Sequence, residues 1–105
     1  MKKITIKNFH IGIDLSPFII AEAGINHNGD LKKALKMIKI AKIAGAHAIK
    51  FQTYHATEMV SDKKLKYSYK SQGKKVTESM LEMFQRCEFS KNQWQEIKKN
   101  CNKNK

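Results

Sequence analysis

An α/β fold built on a parallel βαβ unit is what this sequence predicts, and three observations predict it. A short apolar run enriched in β-branched residues at positions 18–22 and a second short strand at 46–52 flank a segment with helical periodicity. Together the three occupy about 35 residues, the span of a βαβ unit, which is parallel and right-handed. The whole chain has 105 residues, 41% of them hydrophobic, enough for one small core.

In chain order, residues 4–14 alternate apolar and polar positions on either side of Lys7 and Asn8, which predicts two short strands in a hairpin, a small N-terminal cap. Beyond the only proline, Pro17, the run Phe18-Ile19-Ile20-Ala21-Glu22 is bounded by turn signals and reads as a buried strand. Gly24-Ile25-Asn26-His27-Asn28-Gly29 is a turn, and Asp30 behind it is a good N-cap. The helix it opens covers residues 31–44, with Leu31, Ala34, Leu35, Ile38, Ala41 and Ile43 close to helical period and Gly45 as the stop. Residues 46–52 are the second strand. Residues 53–76 are polar, rich in Lys and Ser and weakly patterned, and read as a long connection, either functional or disordered. Two helices follow. One covers residues 77–87, with Met80, Leu81, Phe84 and Cys87 on one stripe. The other opens on the capping box Ser90-Lys91-Asn92-Gln93 and buries Trp94, Ile97 and Cys101.

Twenty-one Lys plus Arg against nine Asp plus Glu give a net charge of +12, the footprint of a nucleic-acid binder. Arg86 is nevertheless the only arginine, whereas bidentate phosphate and base recognition favour Arg, and the lysines lie in every segment. A composition rich in Lys and Asn is also what an AT-rich genome encodes. A small basic module for nucleic acid or another polyanion is therefore the alternative reading, with nucleic acid not the expected partner. No run approaches the about 18 apolar residues of a membrane span, and no apolar stretch of signal-peptide length opens the chain. The expected location is the cytoplasm, without membrane attachment. Cys87 and Cys101 lie fourteen positions apart with no Cys-x-x-Cys, and read as apolar thiols rather than a disulfide or a zinc site.

Side chains alternate along a strand, so Phe18, Ile20 and Glu22 share one face, as do Ala48, Lys50 and Gln52 on the next strand. If the strands are parallel neighbours, Glu22, Lys50 and Gln52 meet at their carboxyl ends beside the Asn26 to Gly29 turn. In α/β proteins that edge binds ligands. A lysine there suits an anionic substrate, its ammonium acting as a point charge. The competing reading is a buried Glu22 to Lys50 ion pair serving structure alone. The glycine turn matches neither nucleotide fingerprint, although amides at the start of a helix suit a phosphate. His10, His27, His47 and His55 show no metal-ligand spacing and read as hydrogen-bonding or surface histidines, so no metal ligand is assigned.

The string Phe18-Ile-Ile-Ala-Glu-Ala-Gly-Ile-Asn-His-Asn-Gly-Asp30, followed by Ala44-Gly-Ala-His-Ala-Ile-Lys-Phe-Gln-Thr-Tyr54, resembles the opening of the sialic acid synthase family. That family includes N-acetylneuraminate, legionaminate and pseudaminate synthases. The likeness is close over residues 16–55 and looser through the last two helices. It implies a (β/α)8 TIM barrel, with residues 17–105 as its truncated N-terminal portion, holding the first two βα units, and residues 1–16 as a β-hairpin cap. It further implies a transferase of surface-carbohydrate biosynthesis that condenses phosphoenolpyruvate with an N-acetylated amino sugar, such as N-acetylmannosamine, and releases phosphate. The family's enzymes are homodimers that use a divalent metal, Mn or Mg, whose ligands are absent from this chain. Glu22 resembles the catalytic acidic residue near the sugar and the attacking water. Lys50 resembles the lysine that holds phosphoenolpyruvate, Gln52 a substrate contact beside it, and Asn26 and His27 the turn that lines the site. Because such a barrel needs about 250 residues, the chain is expected to be an N-terminal piece, as a premature stop or split gene would leave, inactive alone and marginally stable. Ile19 and Phe51 would then face helices, and Ile20 and Ala48 a barrel interior.

Overall fold

Two parallel strands joined by a helix hold the centre of the molecule, whose computed structural model describes residues 3–104. Strands β1 (Ile4–Ile6) and β2 (Phe9–Ile11) form an antiparallel hairpin that turns at Lys7 and Asn8, as the alternation predicts. Its attachment to the rest is aromatic. Phe9 lies edge-on to Phe18 at 5.5 Å and to His47 at 4.8 Å, and His47 stacks on Phe18 at 5.2 Å. The Ile19 amide donates to His47 Nδ1 at 2.9 Å.

Strand β3 (Ile20–Gly24) starts two residues later than expected, because Phe18 turns into this aromatic cluster. It is also not the buried strand that its apolar run suggests: Ile20 is 54% exposed, and only Ala23 and Gly24 are buried. The reason is topological. Strand β4 (Ala48–Phe51) is its sole neighbour among the described residues, paired in parallel with Ile20 opposite Ala48 and Glu22 opposite Lys50, so a single face of a two-stranded sheet is covered.

Helix α1 (Leu31–Ile43) crosses between them. Asp30 caps it, Oδ1 accepting from the Lys33 amide at 3.3 Å, which satisfies one of the free donors of the first turn. Ala34 and Ile38 form its buried stripe and pack with Phe89 and Ile97. Around this core lie Leu31, Leu35, Ile49, Phe51, Trp94 and Cys101, so alternate residues of β4 point to the helices. Phe51 does face them, as expected; Ile19 is 50% exposed.

The segment read as an unpatterned connection contains a short helix, α2 (Ala56–Met59), and a second hairpin, β5 (Lys66–Ser71) with β6 (Lys74–Ser79). Its turn is Gln72-Gly73, both with positive φ, 51° and 80°, the geometry of a two-residue hairpin turn. Helix α3 (Met80–Cys87) therefore begins where its apolar stripe itself starts, three residues later than the expected position 77. Residues 77–79 complete β6, and Ser79 caps the helix by accepting from the Glu82 amide at 3.4 Å. Helix α4 (Lys91–Lys103) carries the expected capping box, Ser90 Oγ and Gln93 Oε1 each accepting from the other's amide. Ile97 is buried on it, and Trp94 and Cys101 are half-buried. Both cysteines are free thiols.

Candidate active site

The parallel pairing decides what meets at the carboxyl ends of β3 and β4. With Glu22 opposite Lys50, the Lys50 ammonium comes 3.2 Å from Glu22 Oε2. Both side chains are more than half exposed, 65% and 55%. The buried structural ion pair weighed from position alone is thus not what forms. An ion pair this wet contributes about 0–1 kcal/mol, too little for stability to account for placing both charges there. After Glu22 the ladder slips before Gly24 pairs with Phe51, an irregularity of the kind that re-aims side chains beside binding sites.

Gly24 is the centre of the arrangement. From the point where a Cβ would sit, Glu22 Oε1 is 3.5 Å away, Gln52 Oε1 3.8 Å and Asn26 Nδ2 4.0 Å. A carboxylate and two amides from three elements therefore converge on one glycine, with the lysine ammonium on the carboxylate's far oxygen. Asn26 is held there by its own turn: its amide and its Nδ2 both donate to Ala23 O, each at 3.0 Å. Four of the five residues singled out from the sequence, Glu22, Asn26, Lys50 and Gln52, are brought together.

His27 is not brought to that edge. It is fully buried, its ring stacked on Phe89 at 4.2 Å and tilted against Phe51 at 6.1 Å. Nδ1 accepts from the Gly29 amide at 3.0 Å, so the proton sits on Nε2, which has no partner among the described residues. Burial pushes its pKa below the ordinary 6.5. The turn places it there because Asn26 and His27, as neighbours, point to opposite sides, one to the open edge and one to the core.

The other histidines stand apart: His10 contacts Thr5, His47 the Ile19 amide, and His55 precedes α2 without capping it. Among the described residues no three His, Cys, Asp or Glu side chains come close enough to share a metal ion. At the candidate site itself the only anionic donor is Glu22, already facing an ammonium. This donor set does not fit a divalent cation, which takes several oxygen or nitrogen ligands.

One group of residues beside the Asn28 turn escaped sequence reasoning. Arg86 on α3 grips Glu78 of β6 through both terminal nitrogens, at 2.7 and 2.8 Å, and donates from Nε to Asn28 Oδ1 at 3.1 Å. Its being the sole arginine was the available signal. Downstream of β4, Tyr54 donates to Phe84 O at 2.7 Å, and Glu88 Oε1 accepts from the Ala56 amide at 2.7 Å. Burial, with Cys87 and Glu88 nearby, pushes the Tyr54 phenol up to about 12. A separate open groove of about 790 Å³ lies at the other end of β4, among residues 46–49, α1 and α4, and includes none of the converging side chains.

Comparison with known proteins decides the lineage. The sequence model of the NeuB family matches residues 37–105. The chain belongs to that family. It is 40% identical over 79 residues to the N,N'-diacetyllegionaminic acid synthase of Legionella pneumophila, covering 75% of this chain and 22% of that protein. The synthase of the same name from Campylobacter jejuni is 46% identical over 71 residues, 68% of this chain and 21% of the relative. Among solved structures, the N-acetylneuraminic acid synthetase of Leptospira borgpetersenii serovar Hardjo-bovis, determined with citrate, superposes with a TM-score of 0.79 at 36% identity. That match covers 98% of this chain and 31% of the synthetase. The chain thus spans between about a fifth and a quarter of the length of these two sequence relatives. The α/β class and the sialic acid synthase likeness expected from the sequence both hold.

Proposed function

We propose that this chain supplies the substrate-binding edge of a nonulosonic acid synthase, which condenses phosphoenolpyruvate with an N-acetylated amino sugar such as N-acetylmannosamine and releases phosphate. The observation that carries the reading is the convergence of Glu22, Asn26, Lys50 and Gln52 around Gly24 at the carboxyl ends of two parallel strands. The family membership supports it. The two strands are read as those that open a (β/α)8 barrel, with the β1–β2 hairpin covering their amino ends, and the product as a precursor of surface carbohydrate made in the cytoplasm. Among the described residues no helix is long and apolar enough to cross a membrane.

Each residue has a task that its position permits. The Lys50 ammonium, exposed and reachable, binds the anionic phosphoenolpyruvate as a point charge. Gln52 and Asn26 offer amide donors and acceptors to hydroxyl or acetamido groups. In the condensation C3 of phosphoenolpyruvate bonds to the sugar's carbonyl carbon, whose oxygen takes up a proton. Glu22 orients the water that adds to the oxocarbenium left at C2 and takes up the proton that water loses, and the C2–O bond to phosphate then breaks as phosphate leaves. His27, buried behind the turn, holds the loop rather than the substrate.

The test uses a chimera in which this chain replaces the matched 31% of the Leptospira synthetase. Phosphate release should require both substrates, Lys50→Ala should raise the KM for phosphoenolpyruvate, and Glu22→Gln should lower kcat about 100-fold or more. Unchanged kinetics in both variants would refute the site. The second reading, a polyanion-binding module, is favoured by one observation: Lys66, Lys70 and Lys75 share a face of the β5–β6 hairpin, with Lys70 directly opposite Lys75. Binding to nucleic acid that weakens steeply with salt would support it.

A further inference from the structure

We propose that Arg86 is a positioning residue for this site, setting the Asn26 side chain through the Asn28 to Gly29 turn while it fixes the β5–β6 hairpin beside that turn. The proposal rests on the reading of Asn26 as a substrate contact. Three contacts join the C-terminal end of α3 to the turn. Arg86 Nε donates to Asn28 Oδ1 at 3.1 Å. The Cys87 thiol reaches the same oxygen at 3.7 Å. The Arg86 carbonyl oxygen lies 2.0 Å from where a Gly29 Cβ would be, an approach that only glycine allows.

From Asn28 the constraint runs back through consecutive backbone bonds to the site. The Asn28 amide donates to Ile25 O and the Asn26 amide to Ala23 O, each at 3.0 Å. Asn28 itself has a φ of 54°, a left-handed conformation that a side-chain hydrogen bond helps to hold. On its other side the same guanidinium closes a three-residue network: Glu78 accepts from both terminal nitrogens, and the Tyr69 hydroxyl donates to Glu78 Oε1 at 2.8 Å. Hydrogen bonding to Glu78 raises the guanidinium pKa further, and Arg86 and Tyr69 hold the Glu78 carboxyl below its usual range. One planar fork therefore serves two elements at once, gripping the Glu78 carboxylate bidentately while Nε reaches Asn28, a geometry that a lysine's single nitrogen does not reproduce.

The experiment is NMR on the isotopically labelled 105-residue chain, with phosphoenolpyruvate as the probe. Arg86→Gln should move the Asn26 side-chain amide resonances, speed exchange of the hairpin amides, and weaken phosphoenolpyruvate binding about two- to tenfold, the scale of one lost hydrogen bond. Arg86→Lys retains charge opposite Glu78 and should keep much of the hairpin protection while still displacing the Asn26 signal. Asn28→Ala should displace the Asn26 signal and leave the hairpin protected. An Asn26 signal unmoved in all three variants, with only thermal stability lowered, would make Arg86 merely structural and overturn the proposal. If the Asn26 signal follows Arg86 but phosphoenolpyruvate leaves Lys50 and Gln52 of the unmodified chain unperturbed, the turn coupling is upheld and the substrate-site reading is what fails.

Discussion

Replacing Gly29 by alanine should be far more damaging than the same replacement at Gly73, although both glycines have nearly the same backbone, φ +76° and +80°. The left-handed conformation costs any residue with a Cβ about 1–2 kcal/mol, and both sites incur it. At Gly73 nothing lies within 4 Å of the added carbon, so the cost ends there. At Gly29 the new carbon would sit 2.0 Å from the Arg86 carbonyl oxygen and 3.1 Å from its carbon, both backbone atoms. Relief requires α3 and the turn to part, which breaks the Arg86 to Asn28 bond and loosens Cys87. With that bond and its packing lost, the total comes to about 3–4 kcal/mol. A core this small supplies only about 3–5 kcal/mol, so Gly29→Ala should leave almost no folded baseline. The assay is urea unfolding followed by Trp94, the sole tryptophan, whose ring meets Phe89 at 5.3 Å and Phe51 at 6.0 Å. Equal midpoints for the two variants would refute the reasoning.

Further outcomes follow from the core, the caps and the buried imidazole. Ile97→Ala should cost about 2–5 kcal/mol and Ser90→Ala about 1 kcal/mol, both read from the same urea curves. His27 is buried neutral with its pKa below 6.5, so the unfolded chain takes up that proton at higher pH than the folded one. Its contribution to stability is therefore complete above about pH 6.5 and is lost as the pH falls below it, down to the folded pKa; midpoints at several pH values should show the slope, and His27→Gln should remove it. Cys87, 3% exposed, should react with a thiol reagent more slowly than half-buried Cys101, and a mass-spectrometric time course of modification separates them.

Much of the site was legible because a strand fixes side-chain direction by parity alone. Once β3 and β4 were read as parallel neighbours, Glu22, Lys50 and Gln52 had to share an edge, and the register places Glu22 opposite Lys50. His27 shows the limit of that logic. Turn membership does not say which way a side chain points, and the stacking partner Phe89 lies 62 positions away in sequence. The β5–β6 hairpin was missed because lysines dominate its composition, while its real signals were local: Tyr67 and Tyr69 in alternation, Val76 and Thr77 β-branched, Gln72-Gly73 for the turn. Helix α3 was extended backward over Thr77, Glu78 and Ser79, none of them part of its apolar stripe, because the strand they complete was not recognised. Helices α1 and α4 were readable because Asp30 and the Ser90 to Gln93 box state their starts independently of packing.

The proposed function requires an anionic substrate to bind where Glu22, Asn26, Lys50 and Gln52 converge. The direct measurement is a map of chemical-shift changes over the whole chain as phosphoenolpyruvate is added. Binding there predicts saturable shifts at Gly24, Lys50, Gln52 and the Asn26 side chain, abolished by Lys50→Ala. Shifts gathered instead around Trp94, Lys98 and Cys101 in the groove at the other end of β4, or shifts that survive Lys50→Ala, would contradict it.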